Sequence, residues 1–216
     1  MKLIIFGATG GTGRHLINQS LEQGHSVTAF ARNPKSLQIQ HEKLHIIKGD
    51  VLNLGSVQSA IDGHDAVFCT LGTPAMNKSM LRTNGTKNII QAMQQSTTKR
   101  LICQSGMGCG DSKVLLPFHY KYIIFPLMLR YVYADHESQE QHVSESQLNW
   151  TIIRPAALSN GKHTSRYWHG FAANDATLSI KISRADVADF MLKQLSDNTY
   201  LHKSPSVSYA NKITSY

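Results

Sequence analysis

Residues 2–13, Lys-Leu-Ile-Ile-Phe-Gly-Ala-Thr-Gly-Gly-Thr-Gly, constrain this chain more than any other stretch. The run from Leu3 to Phe6 is uninterrupted and apolar, as a strand buried on both faces of a parallel sheet is. Glycines follow at 7, 10, 11 and 13. They let the chain turn sharply and bring backbone N–H groups close to a ligand. Leu16, Ile17 and Leu21 then fall on one face of a helix expected over 14–22, which stops at Gly24. A helix N-terminus carries partial positive charge and unpaired donors, which suit a pyrophosphate. A second strand is expected at 26–31. Strand, glycine turn, helix and strand in close succession are the context that distinguishes a dinucleotide-binding turn from a plain strand-to-helix turn. Gly7, Thr9, Gly10, Gly11, Thr12 and Gly13 are therefore the first candidate contacts to a cofactor.

The alternation continues. Strands are expected at 44–48, 66–71, 100–104 and 149–153, with helices beginning near Leu54, over 79–96 and 134–146, and after Ser183. Residues 177–182 alternate like a strand, and 207–209 read as a last one. This pattern predicts an α/β protein: one doubly wound parallel sheet in a single domain over residues 1–216. Such sheets bind ligands outside the carboxyl ends of their strands. Those ends supply the remaining candidates. After the second strand come Arg32 and Lys35 with no acid, where an acidic residue would hold a ribose 2′-OH and an arginine accommodates a 2′-phosphate. That favours NADP(H) over NAD(H), although Asn33-Pro34 makes an exposed basic turn in any case. Asp50, beside Val51, suits either an adenine amino group or the cap of the next helix. Leu71, Gly72 and Thr73 end the fourth strand, Ser105 ends the fifth, and Pro155, Ala156, Ala157 and Leu158 follow the sixth. Pro155 is expected to terminate its strand.

Two segments flank this end of the sheet, at about 107–133 and 157–180. In the first, 114–117 and 123–129 are apolar and interleaved with tyrosines. A lid, a substrate wall or a dimer surface suits it. A membrane-surface segment suits it less, because Pro126 interrupts it and its charge is moderate. The second is polar and carries His163, Arg166, Tyr167, Trp168 and His169, read as a loop near the substrate.

Composition removes several classes. A net charge of +8 is spread without a basic run, and no nucleic-acid-binding module is recognisable. Apolar runs fall far short of the ~20 residues of a membrane span, and the lysine-led N-terminus reads as a strand rather than a leader. Cys69, Cys103 and Cys109 make no paired motif, which fits a reducing cytoplasm. The eleven histidines show no metal-ligand spacing and are expected at the surface. No G-x-S-x-G is present. None of the eight tyrosines is followed four residues later by lysine, the acid of ordinary short-chain dehydrogenases. Hydride transfer to a flavin, quinone or bilin needs no such acid; there the cofactor carries the chemistry and the protein supplies position.

Phe-Gly-Ala-Thr-Gly-Gly-Thr-Gly (6–13), Gly-Asp-Val-Leu (49–52), Leu-Gly-Thr (71–73), Gly-Thr-Lys-Asn-Ile-Ile-Gln-Ala-Met (85–93) and Ile-Ser-Arg-Ala-Asp-Val-Ala-Asp-Phe-Met-Leu (182–192) resemble segments of the atypical short-chain dehydrogenase/reductases. The likeness is to the flavin reductase/biliverdin reductase B family and its NmrA-like relatives. It implies a Rossmann fold, a monomer or weak homodimer, NADP across the candidates above, and a serine near the nicotinamide that falls on Ser105. Ala157 stands where the mammalian-type member has histidine. The resemblance implies an NADPH-dependent reductase of a planar aromatic acceptor. The alternative is an NmrA-like redox sensor that binds NADP(H) without turnover.

Overall fold

The computed structural model describes residues 1–74, 77–116, 118–171 and 178–210. Its elements are β1 (Lys2–Phe6), α1 (Gly11–Glu22), β2 (Ser26–Ala31), β3 (Leu44–Lys48), α2 (Leu54–Ile61), β4 (Ala66–Cys69), α3 (Leu81–Gln94) and β5 (Arg100–Gln104). They continue with α4 (Arg130–Ser144), β6 (Asn149–Pro155), β7 (Ala157–Ser159), β8 (Trp168–His169), β9 (Lys181–Ser183), α5 (Arg184–Lys193) and β10 (Ser206–Ser208). The sheet order is β3-β2-β1-β4-β5-β6-β10-β8. All its pairs are parallel except β10 with the edge strand β8, and β7 with β9 makes a separate parallel ribbon. This is the expected doubly wound Rossmann-like sheet.

The continuous apolar run of β1 has a direct cause. Successive side chains of a strand point to opposite faces, and here both faces are covered. Leu3 and Ile5 are buried with Leu16 and Ile17 of α1 and Phe190 and Met191 of α5. Ile4 and Phe6 are buried with Ile61 of α2, Ile89 and Met93 of α3, and Val143 of α4. At Gly85 in α3, an added Cβ would stand 2.7 Å from Leu71 Cδ1 and 2.9 Å from Val51 Cγ1, so the helix approaches the strand ends there.

Several boundaries differ from expectation. α1 begins at Gly11, because the last two glycines of the motif are themselves helical. β4 ends at Cys69 rather than residue 71. β6 runs on through Pro155, which stays in parallel register with Val207. Proline lacks only the donor: its carbonyl accepts from Met107 N (2.8 Å), and Ala156 N donates to Val207 O (2.9 Å). Between β5 and α4 the chain makes a 3₁₀ turn at Gly110–Leu115 and wide π-type turns at Tyr120–Leu129 that lead into α4. Pro126 in that stretch supplies no N–H to a regular i→i−4 ladder. Pro117 and Thr177, which the sequence assigns to an apolar run and to a strand, lie outside the described residues.

Candidate active site

The strand order reverses between β1 and β4, and a cleft of about 540 Å3 opens along the carboxyl ends of β1, β2, β4, β5 and β6. A crevice at such a reversal is where open α/β sheets bind ligands. Gly7, Thr9, Gly10, Gly11, Thr12, Arg32, Val51, Leu71, Gly72, Thr73, Ser105, Pro155, Ala156, Ala157 and Leu158 line it. Gly13, Lys35 and Asp50 do not.

The glycines divide by role. Gly7 has φ +83, and a Cβ there would stand 2.4 Å from Thr70 O; at Gly13 it would stand 2.3 Å from Gly7 O. Those two let backbone pack on backbone. Gly10 and Gly11 are exposed at the cleft. α1 starts there with no side-chain cap and no acid in its first turn. Its leading N–H groups therefore face the cleft uncompensated, and an anion fits them. Arg184 stands over this end: its Cδ would lie 2.4 Å from a Cβ on Gly11, and its Nη1 donates to Asn160 Oδ1 (2.7 Å). Arg14 ties the glycine loop to the turn after β2, donating from Nε to Thr9 O (3.1 Å) and from Nη2 to Ser36 O (2.5 Å). Lys35 is exposed on that 3₁₀ turn. Asp50 accepts from Leu52 N (3.0 Å), an Asx turn. Asn53, not Asp50, caps α2 by accepting from Ser56 N (2.9 Å).

The other end of the cleft is built around Ser105, which is buried. Its N–H donates to Ile153 O (2.8 Å), so β6 fixes the turn that carries it. Its hydroxyl lies 3.3 Å from His136 Nδ1 and 3.7 Å from Cys109 Sγ. His136 corrects the expectation of surface histidines, since it is 8% exposed and lines the cleft. Burial, and then the Arg82 guanidinium, push it down to about 3, with Asp135 and Gln139 opposing. It is a neutral imidazole at pH 7, able to donate to the serine oxygen or accept from its hydroxyl. Burial and Glu140 push the Cys109 thiol up to about 12, so it is no thiolate nucleophile. Tyr133 lines the same end and donates to Met107 O (2.6 Å). Gln104 also faces the cleft, and its Oε1 is buried with no partner among the described residues.

Arg82 lines the cleft in a buried network. Its Nη1 donates to Thr73 Oγ1 (2.8 Å) and to Asp135 Oδ2 (3.4 Å). Asp135 of α4 also accepts from the N–H groups of Arg82 (3.1 Å) and Thr83 (2.9 Å). α3 has no side-chain cap of its own, as Met80 precedes it at φ 50. Asp135 caps it from another helix. From the sequence alone, Arg82, Arg184 and His136 fall in no site, and Tyr133 falls only in the 107–133 segment, as part of a lid, substrate wall or dimer surface. Arg184 lies in the quoted 182–192 segment, so only its role lacked a signal. The others reach the cleft by helix packing that no local pattern encodes.

The segment 157–180 contributes only Ala157, Leu158 and Ile180 to the cleft among the described residues. His163, Arg166, Tyr167, Trp168 and His169 are outside the lining. Tyr167 packs edge-on against Phe190 of α5, and His169 stacks on the same ring at 4.9 Å. Among the described residues no His/Cys/Asp/Glu group could hold a metal, and no helix is long and apolar enough to cross a membrane.

A sequence model of the NAD(P)H-binding family matches residues 7–198. An uncharacterized chloroplastic protein of Arabidopsis thaliana is 25% identical over 206 residues, covering 90% of this chain and 71% of its own. A 3-beta-hydroxysteroid dehydrogenase of Mycolicibacterium neoaurum is 30% identical over 113 residues, covering 47% of this chain and 31% of its own. The oxidoreductase ylbE of Lactococcus lactis superposes with a TM-score of 0.81 at 22% identity, covering 98% of this chain and 92% of its own. ChuY, an anaerobillin reductase of Escherichia coli O157:H7, does so with 0.78 at 20% identity and 96% coverage of both chains. An uncapped helix end opens on a cleft at the sheet's reversal, and the family match spans nearly the whole length; the chain belongs to the NAD(P)H-binding family.

Proposed function

We propose that this protein is an NADPH-dependent reductase that passes hydride to a planar aromatic acceptor such as a flavin, a quinone or a bilin. One observation carries the reading. Among the described residues the cleft lining contains three arginines and no Asp, Glu or Lys, and its Ser105 end is walled by Met107, Leu116, Leu129, Ala157, Leu158 and Ile180. An apolar slot with a few polar groups holds a flat ring. Its tyrosine, Tyr133, donates to Met107 O and has Glu137 rather than lysine four residues on, so solvent supplies the proton. NADPH would supply the hydride. The α1 N-terminus and Arg184 hold the pyrophosphate, Arg32 takes the 2′-phosphate with Lys35 beside it, and Ser105 with Pro155 to Leu158 positions the nicotinamide and the acceptor. ChuY shares the fold, which makes a linear tetrapyrrole one acceptor worth including.

The test follows NADPH absorbance with purified protein as FMN, riboflavin, a short-chain quinone and a bilin are added in turn. Saturable, enzyme-dependent oxidation with one acceptor is expected. Tight NADPH binding without turnover on any of them would overturn the reading and favour an NmrA-like redox sensor.

A further inference from the structure

We propose that residues 113–116 and 118–130 seat the protein on an anionic lipid surface, so that the cleft takes its planar acceptor from the leaflet; the second half rests on the reductase reading. Among the described residues, six of the ten exposed large apolar side chains fall in this one stretch: Val114, Phe118, Tyr122, Ile123, Leu127 and Met128. Phe118 is 74% exposed and Leu127 73%. Exposed large apolar side chains gathered in one stretch mark an interaction site rather than an ordinary exterior.

Charge identifies what covers it. Residues 112–134 include Lys113, Lys121 and Arg130 and no Asp or Glu. A second copy related by a two-fold axis would set this surface, cations included, against itself. Anionic headgroups offer the opposite sign, and basic side chains around an apolar face are the composition of a segment that lies in the interface. Aromatic rings favour that depth as well. Phe118 and Tyr122 pair at 4.6 Å between centroids, and Lys121 and Arg130 lie over the rings of Tyr122 and Tyr131. The π-type turn is ten residues long, half of what a span needs, so the segment lies on the bilayer. Pro126 is no obstacle there, because water at the interface can satisfy an interrupted backbone.

Position links the surface to the chemistry. Leu116 and Leu129 belong to the same segment and line the cleft. The segment that carries the exposed side chains thus also supplies part of the cleft wall, which is how a flat apolar molecule would pass from leaflet to cleft. In the reaction a quinone would take hydride from NADPH and one proton from solvent, leaving quinol and NADP⁺.

The full chain is floated with vesicles of phosphatidylcholine alone and of phosphatidylcholine with phosphatidylglycerol. Binding only to the anionic vesicles is expected, weakened roughly fivefold per charge in Lys121→Gln and Arg130→Gln. The double variant Leu127→Ser/Met128→Ser should bind at least about tenfold more weakly, with an unchanged thermal midpoint. Failure to float, or flotation that the double variant leaves intact, overturns the docking surface. So does a wild-type dimer that the double variant abolishes, which would assign the surface to a second copy. NADPH oxidation is then measured with a long-chain quinone in the vesicles and a short-chain quinone in solution. The double variant should lose about tenfold on the first and nothing on the second. Equal rates on both would overturn the leaflet route. Anionic binding without turnover of either quinone would leave the docking surface standing and sink the reductase reading.

Discussion

Gly7 and Gly24 make a matched pair for testing how the glycine turn is built. Their backbones are almost the same, φ +83 and +81. Alanine at either position suffers the left-handed penalty of about 1–2 kcal/mol. Their surroundings differ completely. A Cβ at Gly24 meets nothing within 4 Å, whereas at Gly7 it would meet Thr70 O at 2.4 Å, Thr70 C at 2.6 Å and Thr70 Oγ1 at 2.9 Å. Two of those atoms are backbone, in a turn whose Thr70 N–H and hydroxyl are both bonded to Phe6 O (2.9 and 3.0 Å). The clash cannot be relieved by rotating a side chain, so an overpacking cost of about 1–3 kcal/mol adds to the conformational one. Gly24→Ala should therefore cost about 1–2 kcal/mol and Gly7→Ala about 2–5 kcal/mol. For a chain of this length, about 2–4 °C per kcal/mol translates these into falls of roughly 2–8 °C and 4–20 °C in Tm. Differential scanning fluorimetry with and without NADPH is the assay. Gly24→Ala should keep the full upward shift on adding NADPH, because it lies at the far end of α1. Gly7→Ala should lose most of it, since parting β1 from β4 displaces the helix N-terminus. Equal Tm losses in the two variants would refute the claim that Gly7 is required by the approach of Thr70 rather than by φ alone.

Arg32→Glu should reverse the ratio of NADPH to NADH affinity, read by fluorescence titration of both cofactors; an unchanged ratio would remove Arg32 from the 2′-phosphate. Asp135→Asn leaves the buried Arg82 charge without its partner and weakens the cap of α3, and should cost about 3 kcal/mol or more in urea unfolding; a loss under about 1 kcal/mol, the worth of one ordinary hydrogen bond, would contradict that network. His136 sits near 3 in the folded state against 6.5 in the free side chain, so the unfolded chain protonates first and stability declines as pH falls from 6.5 towards 3. Between pH 6.5 and 5 this group accounts for roughly 2 kcal/mol, and His136→Gln should flatten that part of the stability profile relative to the wild-type protein. Ser105→Ala should lower kcat/KM about tenfold, one hydrogen bond's worth; an unchanged rate would release the serine from positioning.

The local sequence determined the sheet and one half of the cleft. Leu3 to Phe6 is apolar at every position because β1 is covered on both faces, and glycines 7 to 13 can make only a tight strand-to-helix turn. Once the strands alternate with helices in parallel, the carboxyl ends of β1, β2, β4, β5 and β6 share one edge, so Arg32, Gly72, Ser105 and Ala157 had to converge. The other half came from packing between elements distant in sequence. His136 reads as one more polar residue on an exposed helix until α4 packs against α3 and β6 and brings it to Ser105, 31 residues away in sequence. Asp135, in a stretch that the sequence marks only as helical, caps α3 across 52 residues. Tyr167 and His169 read as part of a loop near the substrate, and the structure packs both on Phe190 of α5. Helical and strand periods are written in neighbouring residues, and so is the turn chemistry. Which helix face meets which strand end depends on how whole layers pack, and only the tertiary structure decides that.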